Sequence, residues 1–196
     1  LDEDTIMKSI KDMDELVNYY KEIFTLLSSC AMRMLEEITF RRAAIDVSDI
    51  VAYAEKYYRK SVKRLKVYPM LNVDIKEHNI VIGDDVLLRF MFENLIDEAL
   101  RYESEGEINI SVRRDDSFVR FDFIDKRRNF TQEELNLLFY PDNAKVTVSD
   151  DGNVLSGAEY LVCKQIIRDH DEFGGRRGCR INANVADDGI GFCVWF

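Results

Sequence analysis

Three residues of the stretch Asp84–Tyr102 have the types and spacing for ligand chemistry: Asn94, Glu98 and Arg101. On a helix, steps of four and then three residues place an amide, a carboxylate and a guanidinium on one stripe. A carboxylate beside an amide can ligate a hard cation such as magnesium, and a guanidinium attracts phosphate. A polar triplet alone also describes an ordinary solvated helix face, so the surrounding residues decide. A second polar group lies at Asp125, Lys126, Arg127, Arg128 and Asn129, which opens a turn after an alternating run.

The helix that would carry the triplet is well specified. Leu87, Leu88, Met91, Leu95, Ala99 and Tyr102 recur at spacings of three and four, which predicts one buried face. Asp84 or Asp85 follows Gly83 and supplies the N-cap, with acidic charge at the positive end of the helix dipole. Before it, Asp46 caps a helix with Ile50, Ala54, Tyr57, Tyr58, Ser61 and Leu65 inward and Lys56, Arg59, Lys60, Lys63 and Arg64 outward. Met70–Ile75 and Ile80–Ile82 read as strands joined into a short hairpin at Glu77-His78-Asn79, with His78 exposed in the turn. Glu107–Arg113 and Phe118–Ile124 form a second hairpin, and residues 178–185 and 189–196 a third. Residues 140–156 are polar with turn signals at Pro141-Asp142-Asn143 and Asp150-Asp151-Gly152-Asn153, and a loop of that length in a compact domain is usually functional or mobile.

Upstream, Ile10, Val17, Phe24, Ala31 and Ile38 recur at heptad spacing, as do Ile6, Met13, Tyr20, Leu27 and Met34. This a/d seam, widened by Leu16, Ile23 and Cys30, predicts one helix over residues 1–45 in a coiled coil or bundle. The whole chain of 196 residues, 46% hydrophobic and 33% charged, is long enough for one sizeable core plus an appendage. A formal charge of −10 argues against nucleic-acid binding, which needs a basic surplus. Cys30, Cys163, Cys179 and Cys193 lack the paired spacing of a zinc site or a disulfide framework and read as reduced thiols of a cytoplasmic protein. No apolar run approaches the roughly 20 residues of a membrane span. The first residue is Leu1, as in a piece of a longer protein, and an upstream membrane anchor is compatible with the sequence.

The string Asn94-Leu-Ile-Asp-Glu98-Ala-Leu-Arg101-Tyr102 resembles the N-box, N-L-x-x-N-A-x-K-Y, of the histidine-kinase-type ATPase domains of the GHKL superfamily. Ile124-Asp125-Lys-Arg127-Arg-Asn129-Phe130 is similar to the G1 box, D-x-G-x-G-I, and Asn136-Leu-Leu-Phe139 to the F-box. Gly157-Ala-Glu159 through His170 is similar to the helix G-L-G-L-A-I-C-K-E-I-V-E-A-H. The resemblance covers residues 46–196 and implies an α+β fold. The expected form is a two-layer α/β sandwich of the GHKL (Bergerat) type with a mixed sheet, preceded by the second helix of a dimerisation hairpin at 1–45. The phosphoacceptor His belongs to the first helix of that hairpin, and no His precedes His78. His170 falls on a structural position of the family.

Carried over, Asn94, Glu98, Arg101, Tyr102, Asp125, Lys126, Arg127, Asn129 and Gly157 line an ATP pocket. Asn94 and Glu98 would hold Mg, and Asp125 would accept from the adenine amino group. The departures fall in that pocket. Glu98 stands where the family has the magnesium-holding Asn. Arg127 and Asn129 replace the two glycines that let backbone approach the nucleotide, and Glu159 replaces a glycine that wraps phosphate. The reading that follows is a histidine-kinase-like module of a two-component sensor, degenerate in ATP binding, with no certain catalytic residue. It would be dimeric through its N-terminal helix and would act in signal relay or in docking a response regulator. The alternative is an active kinase domain in which Glu98 holds Mg and Lys126, Arg127 or Arg128 balances phosphate charge, with the γ-phosphate passing to an upstream His. An ATPase of the chaperone or topoisomerase kind is a third class, which leaves the heptad seam unexplained.

Overall fold

The computed structural model describes residues 13, 40–139, 147–148, 154–155, 158–186 and 189–196. The chain divides into two units, Leu1–Thr39 and Phe40–Phe196. The heptad seam therefore falls outside the described residues, apart from the helical Met13.

The second unit begins with a strand rather than the tail of a helix. Strand β1, Ala43–Asp46, pairs antiparallel with β3, Ile80–Gly83, in the register Ala44↔Ile82 and Asp46↔Ile80. The expected helix over 1–45 is thus corrected at its end, where β3 supplies ladder partners for Ala43–Asp46. The hairpin expected between Met70–Ile75 and Ile80–Ile82 is corrected too. Strand β2, Met70–Ile75, pairs in parallel with β4, Glu107–Asp115, while β3 joins β1.

Helix α1, Val47–Ser61, starts at Asp46, whose carboxylate accepts from the Ser48 amide at 2.9 Å. Helix α2, Asp85–Arg101, starts at Asp84, whose Oδ1 accepts from the amides of Val86 and Leu87 at 3.0 and 3.2 Å. Both caps satisfy amides that a helix start leaves without partners. Strand β4 turns back into β5, Phe118–Asp125. Helix α3, Gln132–Leu137, opens with a capping box between Thr131 and Glu134. Two short strands, β6 (Thr147–Val148) and β7 (Val154–Leu155), pair antiparallel within the long segment read as a loop. Helix α4, Ala158–Phe173, leads to β8, Arg180–Ala186, and β9, Gly189–Trp195.

The main sheet has the order β2-β4-β5-β9-β8, parallel at its first pair and antiparallel elsewhere. It is a mixed sheet with helices on one face, as an α+β sandwich requires. The inward row Val112, Phe121 and Val194 meets Leu88, Met91, Phe92, Leu95 and Ile96 of α2, Ile50 and Ala54 of α1, and Cys163, Ile166 and Ile167 of α4. Phe92 lies 5.6 Å from Phe121, and the Phe196 ring meets Phe121 edge-on at the same distance. Among the described residues, no helix is long and apolar enough to cross a membrane.

His170, near the end of α4, is fully buried. Its Nδ1 lies 2.7 Å from the Ile166 carbonyl, and its Nε2 accepts from the Asp84 amide at 3.1 Å. That pairing fixes the neutral ring with the proton on Nδ1, and burial lowers its pKa. Phe40 packs edge-on against it at 4.9 Å, and the Arg41 amide donates to Asp84 at 2.8 Å. The chain leading into β1 is thereby tied to the starts of α2 and the end of α4.

Candidate functional site

The polar stripe of α2 points into the protein. Asn94 is 6% exposed and Glu98 0%, so the solvated-face reading fails for both. Arg101 sits at the rim, and its Nη2 bonds a carboxylate oxygen of Glu159 at the start of α4. Its Nη1 lies 3.8 Å from Glu98 Oε2. The helix ends at Tyr102, whose backbone leaves helical geometry.

The turn after β5 reaches back to that helix end. Arg127 donates from Nη1 to the Tyr102 carbonyl and from Nη2 to the Ala99 carbonyl, both at 2.6 Å. A guanidinium at the negative end of a helix satisfies carbonyls that the helix itself leaves open. The same group donates from Nε to Asp125 Oδ1 and from Nη2 to Asp125 Oδ2, each at 2.8 Å. Only 3% of the Arg127 side chain is exposed, and Asp125 is not exposed at all. Gly106 makes this placement feasible: a Cβ there would lie 2.6 Å from Arg127 Cγ, and its φ of +134° suits glycine.

Arg128 carries the connection onward. Its Nε donates to Asp125 Oδ2 and its Nη1 to Glu98 Oε1, both at 2.9 Å. The Tyr160 hydroxyl of α4 donates to the same Glu98 oxygen at 3.4 Å. Burial pushes the Glu98 carboxyl up to about 7, with Arg128 and then Arg101 pulling it back down. The result is one continuous series, Arg127–Asp125–Arg128–Glu98–Arg101–Glu159, running from the turn after β5 across α2 to the start of α4. Three guanidiniums face three carboxylates, so the series is close to neutral when all are ionised. Glu98 Oε2, Glu159 Oε2 and Arg128 Nη2 are buried without a hydrogen-bond partner.

Most of the groups that would meet a magnesium nucleotide are engaged within the chain. Both oxygens of Asp125 are held by Arg127 and Arg128, which leaves no oxygen unengaged for an adenine amino group. The Asn94 amide nitrogen donates to the Phe90 carbonyl of its own helix at 2.7 Å. Glu98 is closed in by Arg128 and Tyr160, and no cluster of three or more His, Cys, Asp or Glu among the described residues is placed to hold a metal. Lys126 donates to Glu107 at 2.8 Å, and Asn129 is exposed. Gly157 lies outside the described residues. Arg128 as the partner of Glu98, and the carbonyls of Ala99 and Tyr102 as partners of Arg127, have no signature in the sequence, because each pairing spans at least 25 positions. Gly106 in an otherwise acidic loop is the one local trace of it.

Comparison with known proteins agrees with this architecture. The family model described as histidine kinase-, DNA gyrase B- and HSP90-like ATPase matches residues 83–196. The signal transduction histidine-protein kinase BaeS of Escherichia coli (strain K12) is 24% identical over 143 residues, which make up 68% of this chain and 28% of that protein. Histidine kinase ThkA, solved in complex with the response regulator protein TrrA, is similar in structure with a TM-score of 0.71 at 16% identity, covering 100% of this chain and 52% of that one. Acinetobacter baumannii histidine kinase AdeS gives 0.60 at 18% identity, covering 100% and 85%. At such identities the structural likeness establishes the fold.

Proposed function

We propose, for a chain that belongs to the histidine kinase-, DNA gyrase B- and HSP90-like ATPase family, that it is the histidine-kinase-type module of a two-component sensor in which the chain's own arginines occupy the nucleotide pocket. It binds magnesium-ATP weakly or not at all and works by relaying helix movement or by docking a partner such as a response regulator. The observation that supports this reading is the double engagement of Asp125 by Arg127 and Arg128. Of the altered positions, Glu98, Arg127 and Glu159 belong to one ion-pair series, and Asn129 follows in the turn after β5. The heptad seam from Ile6 to Ile38 supports a homodimer. Polar substitution of Val17 and Phe24 should then convert a dimer into a monomer in sedimentation.

Calorimetric titration with magnesium-ATP tests the pocket. Binding no tighter than about millimolar, or roughly 4 kcal/mol, is expected. The set Glu98→Asn, Arg127→Gly, Asn129→Gly and Glu159→Gly should raise the affinity. Asn94 and Asp125, retained in their family places, favour the second reading, an active kinase domain in which the two arginines swing out to meet phosphates. Micromolar binding by the unmodified chain, lost in Asp125→Asn with the fold retained, would establish that reading instead.

A further inference from the structure

The sheet face turned away from the helices carries a row of side chains that the pocket does not use. Arg113 of β4 pairs in register with Arg120 of β5, Arg120 with Trp195 of β9, and Trp195 with Arg180 of β8. Registered partners share a face of a sheet. The adjacent positions Val112, Phe121, Val194 and Ile181 belong to the core side, so the row Arg113-Arg120-Trp195-Arg180 lies on the opposite face.

The arginines are stacked rather than loose. Arg120 lies 4.9 Å and Arg180 4.2 Å from the Trp195 ring centre. Arg176, in the loop before β8, lies 4.3 Å from the Phe118 ring, and Arg180 lies 5.4 Å from it. An order Arg176, Phe118, Arg180, Trp195, Arg120 results, each guanidinium held against a ring face. Stacking fixes the guanidinium plane and leaves its N–H edges outward, so little side-chain entropy remains to be lost when a carboxylate arrives.

The carboxylates nearby are already engaged. Asp122, itself buried, takes Arg120 at 2.6 Å and Arg113 at 3.5 Å. Asp115 accepts from Trp195 Nε1 at 2.6 Å, and Asp171 accepts from the Gly178 and Cys179 amides at 2.6 and 3.0 Å. Arg176 and Arg180 are exposed, and no carboxylate among the described residues pairs with either. Arg113 keeps half of its side chain exposed.

We infer that this arginine–aromatic row is a docking surface for an acidic segment of a partner protein, with Arg176, Arg180 and Arg113 pairing its carboxylates. Charge complementarity identifies the occupant. The exposed Arg176, Arg180 and Arg113 form a local cationic strip that complements an acidic segment at close range. Asp122 and Asp115, interleaved with the arginines, leave separated cationic points that suit spaced carboxylates better than the dense charge of a phosphate backbone. Tryptophan and arginine are also the residue types on which protein interfaces concentrate their energy. This surface is independent of the closed pocket, and its test does not involve nucleotide.

Trp195 is the chain's one tryptophan, so its emission reports on the row directly. The 196-residue chain is titrated at low salt with a deca-glutamate peptide, with anisotropy of the labelled peptide as a second readout. A saturable response is expected, weakened about tenfold in Arg176→Glu/Arg180→Glu and much less in Lys56→Glu/Lys60→Glu, which makes the same charge change on α1. Circular dichroism checks that the variants fold, and Arg176→Gln/Arg180→Gln replaces the first pair should it not. Absence of a saturable response overturns the inference, as does equal weakening by both pairs. Competition by inorganic phosphate or phosphatidylserine vesicles at or below the peptide concentration overturns it in favour of a phosphate-type ligand.

Discussion

Arg127 serves two masters in the closed pocket, the carbonyls at the end of α2 and the carboxylate of Asp125. Truncating it would take a donor from the Ala99 carbonyl and from a buried carboxylate, while the Tyr102 carbonyl keeps the Ser104 amide at 2.8 Å. Loss of one member of a buried pair costs about 3–5 kcal/mol. Arg128 still holds Asp125, so Arg127→Ala should lie near the lower end of that range in urea unfolding. A loss below about 1 kcal/mol would mean that water replaces the guanidinium at little cost. Glu98 makes a separate, pH-dependent prediction. Its carboxyl is raised from 4.5 to about 7 in the fold, so its contribution is fully present below the unfolded value and is lost as pH rises through about 7. At ~1.4 kcal/mol per pH unit the difference is on the order of 3 kcal/mol. Glu98→Gln should therefore gain stability relative to the wild type between pH 5 and pH 8. A constant gap between the two melting curves over that range would show that Glu98 stays ionised throughout. The sequence placed Arg127 in nucleotide space through the missing glycine, but its partners were not legible. Side-chain reach from one turn to a helix end leaves no periodic pattern.

Helix α2 is the element on which both ends of the domain converge. Its start is fixed by Asp84, which in turn receives the Arg41 amide and gives its own amide to His170. Because burial lowers the His170 pKa, the neutral ring stabilises the fold fully above its ordinary value near 6.5, and that contribution is lost as pH falls through the folded value. Asp84 and Asp169 are the carboxylates that moderate the shift. His170→Gln, which can still accept from the Asp84 amide, should lose less stability from pH 7 to pH 5 than the wild type does. Parallel melting curves would assign the acid sensitivity to another group. This effect runs opposite to that of Glu98, so each variant must be compared with the wild type separately. Among the elements, both caps and the amphipathic faces of α1 and α2 were legible, because they are local. The β1–β3 pairing was not: β1 is too short to show alternation, and its apolar residues continue the heptad seam before it. For the same reason β2 and β3, adjacent in sequence, read as a hairpin while their hydrogen-bond partners lie elsewhere.

For the whole molecule, the proposed filling of the pocket by the chain's own side chains predicts indifference to nucleotide. A ligand at a hundred times its Kd adds about 2.7 kcal/mol to stability, whereas one near a millimolar Kd adds almost nothing at ordinary concentrations. Magnesium-ATP at 1 mM concentration, on the order of the expected Kd, should leave the melting temperature within about 2 °C of the unliganded value. A rise of roughly 6 °C or more would mark a functional pocket. The mixed-sheet sandwich was legible through the order and spacing of its boxes, whereas the pairing of Arg127 and Arg128 with Asp125 was not. The sheet also sets the timing of the protein's birth. Strand β9 is the last strand, yet it lies between β5 and β8, and Phe196 exchanges both of its backbone bonds with Val119 at 2.9 Å. While the chain is being synthesised, Phe121 and Phe123 stay on an open strand edge until residues 189–196 are available to pair. A chain that stops short of those residues therefore carries an unfinished sheet, with β5 unpaired on the side where β9 belongs.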